Sequence, residues 1–213
     1  MKSAAPTLLR RKPTAPTSML ELWPDLRLAL GRVHEACGPN RRSFAMMIAQ
    51  KTQGPVFWVA PQWATDRLHA DGVHPFICPG RLTFLTLKRA EDILWCVEEV
   101  LRSGTVPFVV VDLPGLPALT PIRRLNLAAE AGTAEGASPP LGLLLTPGDG
   151  GAPGVESRWR LAAAIHQGLG EPWHLERIRS RSDPPRNWRV SRQNGCYTLA
   201  PLSRTDDTIS HSL

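Results

Sequence analysis

Short β-rich apolar runs alternate along this chain with stretches of helical spacing, and that alternation constrains its fold more than any other feature. RVHEAC (32–37) precedes RSFAMMIAQKTQ (42–53), PVFWVAP (55–61) and RLTFLTL (81–87) precede AEDILWCVEEVLRSG (90–104), and PFVVVDL (107–113) follows. The pattern predicts βαβ units and a parallel sheet. In the long segment Ile93, Val97, Val100 and Leu101 recur at helical spacing, with Glu91, Asp92, Glu98 and Glu99 elsewhere and Gly104 placed as the C-terminal cap. Thr120 as cap, Pro121 in the first turn and Gly132 just past AAEA punctuate a further helix, and LGLLLTP (141–147) reads as a buried strand.

Beyond residue 157 the rhythm changes. RWRLAAA, PWHLERIRSR, NWRVSR and CYTLAP follow one another with only loops between them, so the parallel sheet is expected to gain antiparallel strands at its C-terminal end. RWRLAAAIHQ also admits a helical reading. The expected fold class is therefore α/β, a mostly parallel sheet flanked by helices and extended by C-terminal antiparallel strands. Residues 18–201 form the domain, between a Pro-, Thr- and Ala-rich basic arm (1–17) and a polar tail (202–213), both expected to be flexible.

Composition narrows the function classes. No apolar run approaches the roughly 20 residues that span a bilayer, and the basic start has no signal-like apolar stretch, so a cytoplasmic protein without membrane contact is expected. Cys37, Cys78, Cys96 and Cys196 make no CxxC pair, and no histidine completes a zinc spacing. They are expected to be reduced and mostly buried, with no metal bound. The net charge of +6 is unevenly spread: residues 1–42 and 157–192 each carry +5, residues 43–156 carry −3 and the tail −1. Basic ends favour an acidic partner, nucleic acid included.

The segment Gly31–Ala49, GRVHEACGPNRRSFAMMIA, has the order strand, glycine-containing loop, helix that builds a phosphate cradle. It resembles the Walker A region of the RecA recombinase family, with Gly31, Arg32, Val33, Glu35, Gly38 and Pro39 where that pattern wants them. In the same register Ser43 replaces the glycine before the lysine, Phe44 the lysine itself and Ala45 the metal-binding Ser/Thr. Pro61 stands where the family carries its catalytic glutamate, while Val109, Val110, Val111 and Asp112 keep the form of a Walker B strand. The resemblance thus implies a RecA-like core with a degenerate ATP site, no cofactor and no catalytic residue. Arg41 and Arg42 are read as an anion attractor or as two solvated arginines at a helix start.

Three stretches, RRLNLAAEAG (123–132), RWRLAA (158–163) and PWHLERIRSRSDPPRNWRV (172–190), resemble the ImuA family of accessory proteins, related to the cell-division inhibitor SulA. That resemblance implies a non-catalytic adaptor in SOS-induced translesion synthesis, partnered by an ImuB-like polymerase relative and an error-prone replicative-type polymerase. A RecA-class DNA-binding module and a SulA-like inhibitor remain open, as does an NTPase borrowing Lys51 or Lys88. The loop PGDGGAPGVES (147–157) has acids but no basic residue, which speaks against strand exchange.

Arg177, Arg179 and Arg181 sit two apart, so a regular strand would put them on one face, followed after a turn by Arg186, Arg189 and Arg192. Such a row suits phosphates or an acidic protein surface, with Trp173 or Trp188 available for stacking; it equally suits the solvated face of an edge strand. Trp58, Trp95 and Trp159 are expected in the core, and Trp23 and Trp63 at an interface. His34, His166 and His174 have no matched nucleophile or ligand spacing.

Overall fold

The computed structural model describes residues 18–163, 173–193 and 196–202. Along them run β1 (Met19–Trp23), β2 (Leu26–Ala29), β3 (Arg32–Cys37), α1 (Arg41–Lys51), β4 (Val56–Pro61), α2 (Ala70–Val73), β5 (Leu82–Leu87), α3 (Ala90–Ser103), β6 (Phe108–Asp112), α4 (Leu119–Glu135), β7 (Leu141–Leu145), β8 (Ser157–Ala163), β9 (Trp173–Ser180), β10 (Arg186–Gln193) and β11 (Cys196–Pro201). Nine strands form one sheet in the order β11-β10-β9-β8-β3-β7-β6-β4-β5. From β5 to β8 every neighbouring pair is parallel, and β9, β10 and β11 continue the sheet antiparallel. The expected α/β class, mostly parallel with an antiparallel extension, is what the chain adopts, and 158–163 is strand rather than helix.

Every residue of β6 and β7 is buried, because helices cover both faces of the central strands. Period-two alternation divides the core. Val110, Leu143 and Trp159 pack with Phe44, Met47 and Ile48 of α1. Val109, Val111 and Leu144 pack with Ile93, Val97 and Leu101 of α3 and Ile122 and Leu125 of α4. Helix α1 buries all of Phe44–Ala49, more than one amphipathic stripe can supply. The antiparallel β1–β2 hairpin supplies the extra cover, with Leu22, Leu26 and Leu28 in the same cluster. That hairpin escaped the sequence reading.

Helix α3 ends as expected on Gly104, in the left-handed region at φ 58°. The reading of α4 needs correction: it starts at Leu119 after Ala118, and Gly132 lies inside it, with the cap at Gly136. Gly132 is there for packing, since a Cβ on it would stand 2.0 Å from the Leu101 carbonyl oxygen of α3. Glu98 is also buried, pairing with Arg102 and with Arg124 of α4 at 2.8 Å.

The tryptophans divide differently from expectation. Trp58 and Trp159 are core, but Trp95 is 59% exposed because its position on α3 faces away from the sheet. Trp63 is exposed, whereas Trp23 is buried, donating its indole N–H to the Tyr197 carbonyl at 2.8 Å. All four cysteines are free; Cys37 is buried, Cys96 half-buried, and Cys78 and Cys196 are exposed, so burial of the thiols is not the rule expected. The arm 1–17, residues 203–213 of the tail and His166 lie outside the described residues.

Candidate functional site

The carboxyl ends of β3, β6 and β7 converge on the loop Gly38–Asn40, the place where open α/β sheets hold ligands. Gly38 has φ +84°, and a Cβ there would meet the Leu161 carbonyl oxygen at 2.8 Å. Three backbone N–H groups of this loop are already engaged. Gly38 donates to the Gly148 carbonyl at 3.0 Å, Asn40 to Leu161 at 3.1 Å and Arg41 to Gly38 at 3.3 Å; Pro39 has no N–H.

The residues expected to form a degenerate ATP site are held in contacts within the protein. Phe44 is fully buried, its ring 5.8 Å from that of Trp159, and the neighbouring Ala45 is buried too; Ser43 is half-buried at the helix start. At the end of β6, Asp112 accepts a hydrogen bond from Arg42 Nε at 2.7 Å and has an Arg41 guanidinium nitrogen at 3.8 Å. Arg42 also approaches Asp66 at 3.8 Å. The arginines read as solvated or anion-attracting are thus bound to a protein carboxylate. A guanidinium stands against the acid that, in a working site, would hold Mg²⁺. The residues present do not fit a magnesium nucleoside triphosphate.

Beside this loop lies a residue the sequence reading placed only as a motif letter. Glu35 is fully buried in β3. Its carboxylate accepts from Thr146 Oγ1 at 2.7 Å, Gly151 N at 2.8 Å and Ala152 N at 3.0 Å, and pairs with Arg158. Arg158 also donates to the Ala152 carbonyl at 2.9 Å. One carboxylate therefore pins the acidic glycine-rich loop 147–156 against the sheet, and a Cβ on Gly150 would stand 2.8 Å from its Oε1. Burial, followed by the charge of Glu35, pushes the Cys37 thiol up to about 11, so it stays protonated at neutral pH.

The other face of β3 carries His34, 1% exposed. Its Nε2–H donates to the Ala29 carbonyl at 2.9 Å, so Nδ1 accepts from Ser157 Oγ at 2.6 Å; Ser157 in turn accepts from Trp159 Nε1 at 2.6 Å. This assignment satisfies each group with a neutral ring, and burial lowers the His34 pKa to about 4. The chain of bonds ties the hairpin to β3 and β8.

The arginine row is broken by the sheet itself. Arg158 faces Arg179 but Trp159 faces Arg177, leaving Ile178 as an extra residue in β9. This bulge turns Arg177 and Arg179 to opposite faces. Arg177 is 5% exposed, lies 5.6 Å and 5.4 Å from the Trp159 and Trp188 ring centres, and donates to the Pro184 carbonyl at 2.9 Å. Burial lowers its pKa. Arg181 donates to the Gly154 carbonyl at 3.2 Å and sits 3.8 Å from Glu156. Arg179, Arg186 and Arg189 are exposed and have no carboxylate within ion-pair distance among the described residues. Trp188, expected as a stacking group, is 1% exposed.

No group of three or more metal-ligating side chains occurs among the described residues, and no helix there is long and apolar enough to cross a membrane. No protein-family model matches the chain, and no curated protein matches it.

Proposed function

We propose that this chain is a non-catalytic, RecA-like accessory protein of SOS-induced translesion DNA synthesis. In this reading it acts in the cytoplasm as an adaptor for an ImuB-like polymerase relative and an error-prone replicative-type polymerase. The observation that carries it is the filled phosphate cradle. Phe44 packs under the loop where a lysine would reach phosphate, and Arg42 holds Asp112 where Mg²⁺ would sit. A domain that keeps the sheet while its nucleotide loop is spent on internal contacts offers its surfaces for binding. The sequence resemblance to ImuA supplies the partners.

The test is recovery of partners from DNA-damaged cells with this chain as bait, before and after nuclease treatment. An ImuB-like polymerase relative that survives nuclease, with no heat released on titrating MgATP into the purified chain, is the expected result. A purified pair that never associates would sink the adaptor reading. A second reading, a DNA-binding module, is favoured by Arg179 and Arg189, exposed and without an ion-pair partner among the described residues. It requires DNA affinity that falls steeply with salt, and undetectable binding at low salt disposes of it.

A further inference from the structure

The C-terminal edge of the sheet carries a cleft that the degenerate site does not explain. Among the described residues strand β11 pairs with β10 alone, and the phase of that pairing is fixed by the Leu202 N–H donating to the Asn187 carbonyl at 3.0 Å. Hydrogen-bonded pairs alternate along an antiparallel ladder, so Cys196, Thr198 and Ala200 point their backbone groups at β10. Tyr197, Leu199 and Pro201 point theirs outward. The Tyr197 carbonyl is already taken by the Trp23 indole of the hairpin. Left open among the described residues are the N–H of Tyr197, the N–H and carbonyl of Leu199 and the carbonyl of Pro201.

Between that edge and the hairpin turn lies a cleft of about 280 Å³ lined by Trp23, Pro24, Asp25, Trp188, Tyr197 and Leu199, among others. Trp188 is buried, and its Nε1–H has no acceptor among the described residues, a cost that a ligand carbonyl would relieve. Two guanidiniums stand on the same face: Arg192, 5.7 Å from the Tyr197 ring centre, and Arg186, 5.4 Å from that of Trp188. Neither has a carboxylate within ion-pair distance among the described residues, and Asp25 is the acid that lines the cleft.

We infer that this cleft is a docking site for an extended, acidic peptide segment of a protein partner. The peptide adds to the β11 edge through the Leu199 N–H and carbonyl and sets its carboxylates against Arg192 and Arg186. Two guanidiniums over the lining rings of Trp188 and Tyr197 against the one lining carboxylate of Asp25 leave the site net positive, and that charge chooses the occupant. A second copy of this edge would bring arginine against arginine. Single-stranded nucleic acid would need open aromatic faces, yet Tyr197 stacks on Phe76 at 5.3 Å and on Trp173 at 5.6 Å, and Trp188 carries Arg186 and Arg177. The inference deepens the adaptor reading, resting on it only for the partner being a protein.

The experiment is selection of phage-displayed random 12-residue peptides on the immobilised full chain, with affinities of the winners measured on variants. Acid-rich winners are expected, weakened about tenfold or more by Arg192→Glu and Arg186→Glu but unchanged by Arg189→Glu on the opposite face, at equal melting temperature. Neutral or basic winners, or an equal loss with Arg189→Glu, would overturn the assignment. So would a (dT)20 oligonucleotide whose binding depends on Arg192, a dimer in light scattering that Arg192→Glu dissolves, or peptide binding that appears only after residues 203–213 are deleted. Failure of the two readings is separable. Acidic peptides bound at the cleft with no polymerase relative recovered from cells refute the adaptor reading alone; a polymerase relative recovered undiminished by Arg192→Glu refutes the cleft alone.

Discussion

Placing a lysine at position 44 is the most direct challenge to the proposed filled cradle. Phe44→Lys puts the ammonium where a nucleotide-binding loop would want it, yet removes a fully buried ring packed against Trp159. Truncating a buried Phe costs about 3–5 kcal/mol, and the lysine stem recovers part of that only if its charge reaches the loop surface. A net loss of about 4 kcal/mol is expected, a large share of the roughly 5–15 kcal/mol that holds a domain together. With a urea slope of about 2 kcal/mol per molar, the unfolding midpoint should fall by about 2 M. Phe44→Leu, which keeps most of the apolar volume, should lose about 1–1.5 kcal/mol. Urea titration followed by tryptophan fluorescence reads both, and MgATP is then titrated into the lysine variant. A lysine variant that loses under about 1 kcal/mol and acquires MgATP affinity would refute the reasoning, because Phe44 would then be a removable plug rather than part of the core.

Four further outcomes follow from the same contacts. His34 has its pKa lowered to about 4, below the ordinary 6.5, so the unfolded chain binds its proton more readily; stability is level above pH 6.5 and falls by about 3 kcal/mol as pH drops to 4. Urea midpoints across that range should show the slope in the wild type and a shallower one in His34→Gln. Glu35→Gln leaves Arg158 without its carboxylate, costs about 3 kcal/mol, and should accelerate amide exchange at Gly151 and Ala152 before the rest of the chain. Gly132→Ala should destabilise by calorimetry even though alanine favours helix by about 1 kcal/mol, since its Cβ meets the Leu101 carbonyl. Arg177→Ala should lower the melting temperature by removing a cation held between two indoles, whereas Arg189→Ala should leave it within a degree or two.

The architecture was legible because β6 and β7 are unbroken apolar runs and α3 carries a clean helical stripe ended by Gly104. Local pattern alone determines those. The β1–β2 hairpin was missed because its strands are only five and four residues long, and their alternation of Leu20, Leu22, Leu26 and Leu28 straddles a Pro-Asp turn that reads as loop. Its role depends on α1 needing cover, which no local window contains. The degenerate cradle expected at Ser43, Phe44 and Ala45 rests on the resemblance, and the structure adds that Phe44 and Ala45 are buried. The pairing of Arg42 with Asp112 was not legible, because seventy positions separate them and only the sheet order joins them. A glutamate inside the apolar run RVHEAC was the available signal for Glu35, since a charge in a central strand must be satisfied by something distant. The arginine row failed for the opposite reason: simple alternation assumes an unbroken strand, and a single bulge at Ile178 reverses it.

A guanidinium bonded to Asp112 differs from a metal ion in one respect that reaches beyond the loop. It is attached to the backbone four residues from Gly38, so its local concentration at the carboxylate is set by chain geometry and not by what the cell supplies. A swing in magnesium or in the ratio of ATP to ADP leaves that occupancy where it was. Proteins of α/β class that hydrolyse nucleotide carry a timer, because bound and spent states differ in shape. Under the proposed non-catalytic reading this loop has no clock to run down. Under the adaptor reading, the assembly this chain joins is governed by how much of it is made and how long it lasts.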